Sequence, residues 1–185
     1  MKKITFISGN KNKVERVREY LRGIEVSHKD LEINEIQSLD LEKVVEHKAR
    51  QAFEIVKSPV LVEDVSLVYS AFGNLPGPLI KWFLAELGNA GLCRILNHYT
   101  KDKNREAVAE VSFGFFDGKN FKSFGAQVNG RIAPYPKGEN GFGWDPIFIP
   151  EGSDKTLGET GSGEKEKLFR AKALQDFARF YLDKS

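Results

Sequence analysis

PVLVEDVSLVYSAFGNLPGP, Pro59 to Pro78, contains an apolar run, Val60 to Val62 with Val65 beyond it, interrupted by two adjacent carboxylates, Glu63 and Asp64. Branched apolar residues directly after a proline read as a strand. An ionised acid at the end of a buried strand is costly unless a cation offsets it. The stretch therefore predicts a strand at Val60–Val62 and, elsewhere in the chain, a positively charged partner for its acids.

Upstream lies the cleanest helical period in the sequence. Leu41, Val44, Val45, Ala49, Ala52, Phe53 and Val56 fall on one face, and Pro59 ends the helix. Asp40 reads as its N-cap, with Leu39 and Val44 as a hydrophobic staple. Earlier still, Ile4–Ile7 reads as a strand broken at Gly9. A helix follows through Val14, Val17, Arg18 and Leu21, then a short strand at Ile24–His28. Downstream, Gly73, Pro76, Gly77 and Pro78 form a turn-rich loop before LIKWFLAELG, a helix closed by Gly88, and a further helix spans about Asn89–Tyr99.

The period then changes to two. Arg105–Phe116 and Phe121–Ile132 flank Asp117-Gly118 and predict two long antiparallel strands. A glycine-rich loop, Gly138–Gly143, precedes a strand at Pro146–Ile149. A last helix carries Leu168, Phe169, Ala173, Leu174, Phe177 and Tyr181 on one side. The fold class is α/β, an elongated mixed β-sheet flanked by helices, in one domain over residues 1–185.

Composition excludes several functions. With 28 basic and 26 acidic residues, net charge +2, no broad field attracts a nucleic acid polymer. No apolar run is long enough to span a membrane, and MKKITFISGN is too short for a secretory leader, so the expected location is cytoplasmic. The single cysteine, Cys93, excludes an internal disulfide and a multi-cysteine zinc site and reads as a buried hydrophobe. His28, His47 and His98 share no ligand spacing.

The first chemically suggestive segment is SGNKNK, Ser8–Lys13, between strand and helix. Amides at a helix N-terminus carry partial positive charge, Gly9 permits close approach, and Lys11 and Lys13 add cations, so the segment suits a polyphosphate. It lacks the Walker pattern, and a solvated turn capped by Asn10 is the competing reading. Polyphosphate bound there brings magnesium, which Glu63 and Asp64 are placed to hold; alternatively Glu63 pairs with a lysine and Asp64 caps a turn. In GENGFGWDPIFIPEGSDKT, Phe142 and Trp144 suit stacking on a base, and Asp145 suits accepting from ring N–H groups, although aromatics beside glycines also occur in ordinary packed turns.

SGNKNK, VEDVSL, GNLPGPLIKWFL, GFGWDPIFIPEG and TLGE together resemble the inosine triphosphate pyrophosphatase family, in order and spacing over nearly the whole chain. The resemblance implies two lobes with a central cleft, a homodimer and Mg2+ dependence. It further implies hydrolysis of non-standard purine triphosphates (ITP, dITP, XTP) to monophosphate and pyrophosphate. It assigns Ser8, Gly9, Asn10, Lys13 and Val65 to substrate binding and Asp64 to catalysis and metal, with Lys13 assisting catalysis. Phe142, Gly143, Trp144 and Asp145 match the base-contacting loop, Lys165 a substrate-reaching lysine, and Arg170 the arginine of the final recognition motif.

Two departures bear on this. Leu168-Phe169-Arg170 stands where the family carries Ser-His-Arg, which touches base selectivity; Phe169 also fits the apolar row of the last helix. Beyond Ile36-Gln37, Leu39 stands where the family places a metal-binding glutamate. Asp40 is the substitute by position, unless it is spent as a helix cap, and Glu63 is the other candidate metal ligand. A nucleotide-binding protein of this fold with lost or altered catalysis, or a pyrophosphatase for another modified nucleotide, are the alternative readings.

Overall fold

A computed structural model describes residues 2–9, 11–100 and 104–183, with the backbone alone described for residues 11, 12 and 162–169. The expected cap and ligand Asn10 lies outside the described residues, as do the side chains of Lys165, Leu168 and Phe169. In chain order the elements are β1 (Lys2–Ile7), α1 (Lys11–Tyr20), β2 (Ile24–Lys29), α2 (Leu41–Val56), β3 (Val60–Tyr69), β4 (Pro76–Gly77), α3 (Ile80–Thr100), β5 (Glu106–Phe116), β6 (Phe121–Ile132), β7 (Phe148–Pro150), α4 (Leu157–Thr160) and α5 (Ser162–Asp183). The seven strands form one mixed sheet in the order β2-β1-β3-β5-β6-β7, with β4 antiparallel to β3.

The acids do not end their strand. β3 runs through Glu63 and Asp64 to Tyr69, ten residues in all. Val65-Ser-Leu-Val-Tyr69 is as strand-favouring as the run before the acids. The alternation of the pleat then sends Glu63 and Asp64 to opposite faces of the sheet, a different situation from two carboxylates sharing one end.

The chain divides into two compact units: residues 1–64, 111–126 and 170–185, and residues 65–110 and 127–169. In the first, β1 lies parallel to both β2 and β3, with Ile7 opposite Val62. On one side α2 buries Val45, Ala49 and Ala52 against Ile7, Val60, Val62 and Phe116. It sits close, because a Cβ on Gly114 would lie 2.8 Å from the Val45 carbonyl oxygen. Elsewhere in this unit, Phe177 and Tyr181 of α5 pack with Phe115, and Phe177 also meets Phe124. The Tyr181 hydroxyl donates to the Lys3 carbonyl at 2.6 Å, and Lys2 Nζ donates to Tyr181 O at the same distance.

In the second unit α3 holds two helical stretches broken at Gly88 (φ 61, ψ 176), as the glycine predicts. Leu92, Cys93 and Leu96 are buried there, and burial pushes the Cys93 thiol up to about 11. The strand expected at Pro146–Ile149 begins only at Phe148, after a 3₁₀ turn over Asp145–Ile147 that Pro146 favours. α4 is a short helix within the TLGE stretch. Thr156 and Glu159 close a reciprocal capping box over it, an S/T-x-x-E signature that is present in the sequence but was not read as a helix start above.

Candidate active site

The parallel register of β1 and β3 decides where the chemistry gathers. Ile7 pairs with Val62, so the residues that follow, Ser8 and Gly9 just past β1 and Glu63 and Asp64 within β3, come side by side. The Ser8 N–H donates to Lys29 O at 3.1 Å, and its carbonyl lies 2.5 Å from His28 Nε2. Gly9 is close to Asp30: a Cβ there would stand 3.1 Å from Asp30 Oδ1.

On one face, Glu63 receives two cations. Arg170 Nη2 donates to Oε1 at 2.8 Å, Arg170 Nε to Oε2 at 3.2 Å, and Lys13 Nζ to Oε1 at 3.0 Å. The Glu63 and Arg170 side chains are 2% and 3% exposed, that of Lys13 23%. Burial alone raises the Glu63 carboxyl. The charges of Arg170 and then Lys13 outweigh it and hold the group well below the usual carboxylate range. Of the two cations on this carboxylate, Lys13 is the more exposed.

The opposite face carries the reverse arrangement. Lys48 of α2 donates from Nζ to Glu35 Oε1 at 3.0 Å and to Asp64 Oδ2 at 3.4 Å, and its nitrogen also lies 3.5 Å from Glu63 O. Burial lowers the Lys48 ammonium, but Asp64 and then Glu35 overcome this and leave it raised. Here one ammonium bridges two carboxylates. α2 brings Lys48 into place because it packs on Val60 and Val62, the residues that alternate with Asp64 on that face. Glu35 arrives on the irregular segment after β2, where Leu31 and Ile33 pack on the same apolar cluster at alternating positions.

This donor set suits magnesium. Bound with polyphosphate, that ion takes one or two protein carboxylates and completes its shell with water and phosphate oxygens. Glu35 and Asp64 supply two such carboxylates, which both contact the Lys48 ammonium, at 3.0 and 3.4 Å, and among the described residues no cluster of three or more possible ligands forms. The other candidates for a metal are placed differently. Glu63 faces away from Asp64 onto two cations. Asp40 caps α2, its Oδ1 accepting from Glu42 N at 3.0 Å and Lys43 N at 3.3 Å, with Lys43 Nζ 3.6 Å from Oδ2.

In the second unit, the segment Phe142–Asp145 is held from several directions. Asp145, 1% exposed, accepts the Phe142 N–H at 2.9 Å, and Asn89, just past the break in α3, donates from Nδ2 to Gly143 O at 2.8 Å. Trp144 is buried with its ring edge-on to Phe148, whereas Phe142 is 44% exposed. Gly141 (φ +81) has no room for a side chain, since a Cβ would fall 2.2 Å from Asp145 Oδ2. α4 braces the other end. Asn140 N and Nδ2 both donate to Gly158 O at 3.0 Å, and the Thr156 hydroxyl donates to Lys137 O at 2.7 Å.

Among the sequence candidates, Ser8, Gly9, Lys13, Glu63, Asp64 and Arg170 are brought together in the first unit. Phe142, Gly143, Trp144 and Asp145 form one braced loop in the second, and Val65 is half-buried in β3. Arg170 is enclosed on Glu63. Sequence reading missed Glu35 and Lys48. Their signal was available: Lys48 lies four residues after Val44 and one before Ala49, at the rim of the buried face of α2, and Glu35 continues the Leu31, Ile33 alternation.

The profile of the Ham1 family matches residues 4–180. Over 174 residues, 93% of this chain and 92% of the relative, the sequence is 44% identical to an inosine triphosphate pyrophosphatase of Fusarium vanettenii. Over 183 residues, 97% of this chain and 96% of the relative, it is 39% identical to a dITP/XTP pyrophosphatase of Methanopyrus kandleri. The Ham1 protein of Staphylococcus aureus superposes with a TM-score of 0.86 and full coverage of both chains, at 24% identity. A HAM1 protein from Coxiella burnetii gives 0.87 over 99% of this chain and 100% of its own, also at 24% identity. These two structures establish the fold alone.

Proposed function

The chain belongs to the Ham1 family, and from that premise we propose that it hydrolyses non-standard purine nucleoside triphosphates, ITP, dITP and XTP, to the monophosphate and pyrophosphate. The observation that carries this reading is the pair of charged groups on the two faces of β3, Glu63 with Lys13 and Arg170 on one and Asp64 with Lys48 and Glu35 on the other. A polyphosphate and its counter-cation need such neighbours.

In this reading Ser8, Gly9, Asn10, Lys13 and Val65 bind the triphosphate side of the substrate, and Lys165 reaches it from α5. Glu35 and Asp64, rather than Asp40 or Glu63, would hold magnesium, which when bound supplies charge withdrawal from the phosphate oxygens. Asp64 takes the proton of the water that attacks the α-phosphorus, and general-base assistance of this kind contributes about 10²- to 10⁴-fold. Lys48 orients Asp64 through the contact at 3.4 Å. Lys13 offsets the negative charge that builds on the departing pyrophosphate. Phe142 stacks on the purine while Gly143, Trp144 and Asp145 fix the loop around it. The chain acts as a single domain, in the cytoplasm, as a homodimer, and clears miscoding precursors from the nucleotide pool.

Pyrophosphate release from ITP, dITP, XTP, GTP and ATP, with and without magnesium, tests the reading, with Asp64→Asn as the control. Asp64→Asn is expected to lose about 10²- to 10⁴-fold in kcat while still binding nucleotide. Wild-type activity in that variant removes Asp64 from the mechanism. Nucleotide binding without turnover by the parent protein favours a binding protein of the same fold, and turnover confined to another modified base redefines the substrate.

A further inference from the structure

We propose that Glu63 is a positioning residue: its buried carboxylate, clamped by Arg170, holds the Lys13 ammonium beside the first loop before polyphosphate arrives. The inference rests on the nucleotide-hydrolysing reading above and assigns Glu63 and Arg170 a part in it that neither the metal nor the base supplies.

The geometry is that of a bracket. Arg170 engages both oxygens of Glu63, through Nε at 3.2 Å and Nη2 at 2.8 Å, and such a fork fixes the plane of the carboxylate. The same Oε1 that takes Nη2 also takes Lys13 Nζ at 3.0 Å. Both bracket members are almost fully enclosed, so their positions are set by packing, while Lys13 is the member with exposure to solvent. A free lysine side chain samples many rotamers and loses that freedom when it grips a ligand; one already held against a rigid acceptor has lost it beforehand. Two cations within 3.2 Å also make Glu63 a poor ligand for a dication, which separates its role from that of Asp64 on the opposite face.

Removing Glu63 alone strands a buried arginine, so the informative variant is Glu63→Met with Arg170→Met, which deletes both buried charges together and is of the kind that proteins tolerate. It is combined with Lys13→Gln in a double-mutant cycle. Two quantities are read: binding of inorganic pyrophosphate by calorimetry without metal, and kcat and KM for ITP with magnesium. The Met pair, with Lys13 intact, is expected to weaken pyrophosphate binding by about ten- to thirtyfold, the factor that corresponds to ordering one lysine side chain. Lys13→Gln, which removes the ammonium itself, weakens it at least as much, and in the Met-pair background it costs less than in the parent by that same factor. Its relative kcat/KM for ITP, XTP and GTP stays at the wild-type ratio.

Wild-type pyrophosphate affinity in the Met pair overturns the proposal, as does multiplication of the two losses in the combined variant. A changed purine ranking also overturns it, by placing Arg170 on the base. If the Met pair fails to melt cooperatively, Glu63→Asp serves instead. It keeps the charge but shortens the reach by one methylene, and it is expected to raise KM for ITP and weaken pyrophosphate binding; wild-type values for both refute the bracket. A parent protein that releases no pyrophosphate from any triphosphate sinks the functional reading itself. A parent that turns over while the cycle is multiplicative sinks only this inference.

Discussion

Gly158→Ala isolates the brace beneath the Phe142–Asp145 loop. Gly158 has ordinary backbone angles, so the substitution tests space alone. A Cβ there would stand 2.6 Å from Lys137 O, 2.9 Å from Pro146 Cα and 3.2 Å from Pro146 N. All three atoms are backbone and two belong to a proline, so no side chain can rotate away. Either α4 or the 137–146 segment must move, and overpacking of this kind costs about 1–3 kcal/mol. For a chain of this length each kcal/mol lowers Tm by about 2–4 °C, so a fall of about 2–12 °C is expected. Because Asn140 hangs on Gly158 O and the same segment ends in the aromatic loop, KM for ITP should rise severalfold with kcat little changed. Differential scanning calorimetry and steady-state kinetics read the two effects. Gly125→Ala is the control: its Cβ would meet only Val111 O, at 3.4 Å, and Tm should hold or rise slightly. An unchanged Tm for Gly158→Ala refutes the claim that α4 and the loop are in rigid contact.

Asp40→Ala removes the cap of α2, where one carboxylate oxygen satisfies two amides; a loss of about 0.5–2 kcal/mol is expected in chemical denaturation. The magnesium dependence of turnover should stay at the wild-type value, and a large rise in the magnesium requirement would return Asp40 to the metal site. Acid should unfold the protein partly through Glu63. Its folded carboxyl titrates below the unfolded one, so its stabilisation is complete above the unfolded value of about 4.5 and is lost as pH falls beneath it. Tm measured from pH 6 to pH 3 should therefore drop less steeply in Glu63→Met/Arg170→Met than in the parent, and parallel curves would contradict this.

Local signals in the sequence were read well where they were complete in themselves. The apolar stripe of α2, its Asp40 cap, the glycine break in α3 and the Asp117-Gly118 hairpin each rest on spacing within a few residues, and the structure has all of them. β3 runs past the apolar stretch that predicts it, because two charges do not stop a strand. In a pleated strand charges need only a face with partners, and Glu63 and Asp64 each have one. The identity of those partners was beyond local pattern. Arg170 lies 107 residues from Glu63, and Lys48 meets Asp64 only because α2 folds back over β3. Glu35 was overlooked since it belongs to no helix or strand, and only the packing of Leu31 and Ile33 gives its position a cause.

The distance along the chain from Glu63 to Arg170 also has a consequence during synthesis. Ribosomes add about 5–20 residues each second, so roughly 5–20 s pass between the appearance of the acid and that of its clamp. During that interval the carboxylate has Lys13 but not the arginine that grips both of its oxygens in the finished fold. Protein synthesis thus imposes an order of assembly, with the enclosure of Glu63 waiting for α5.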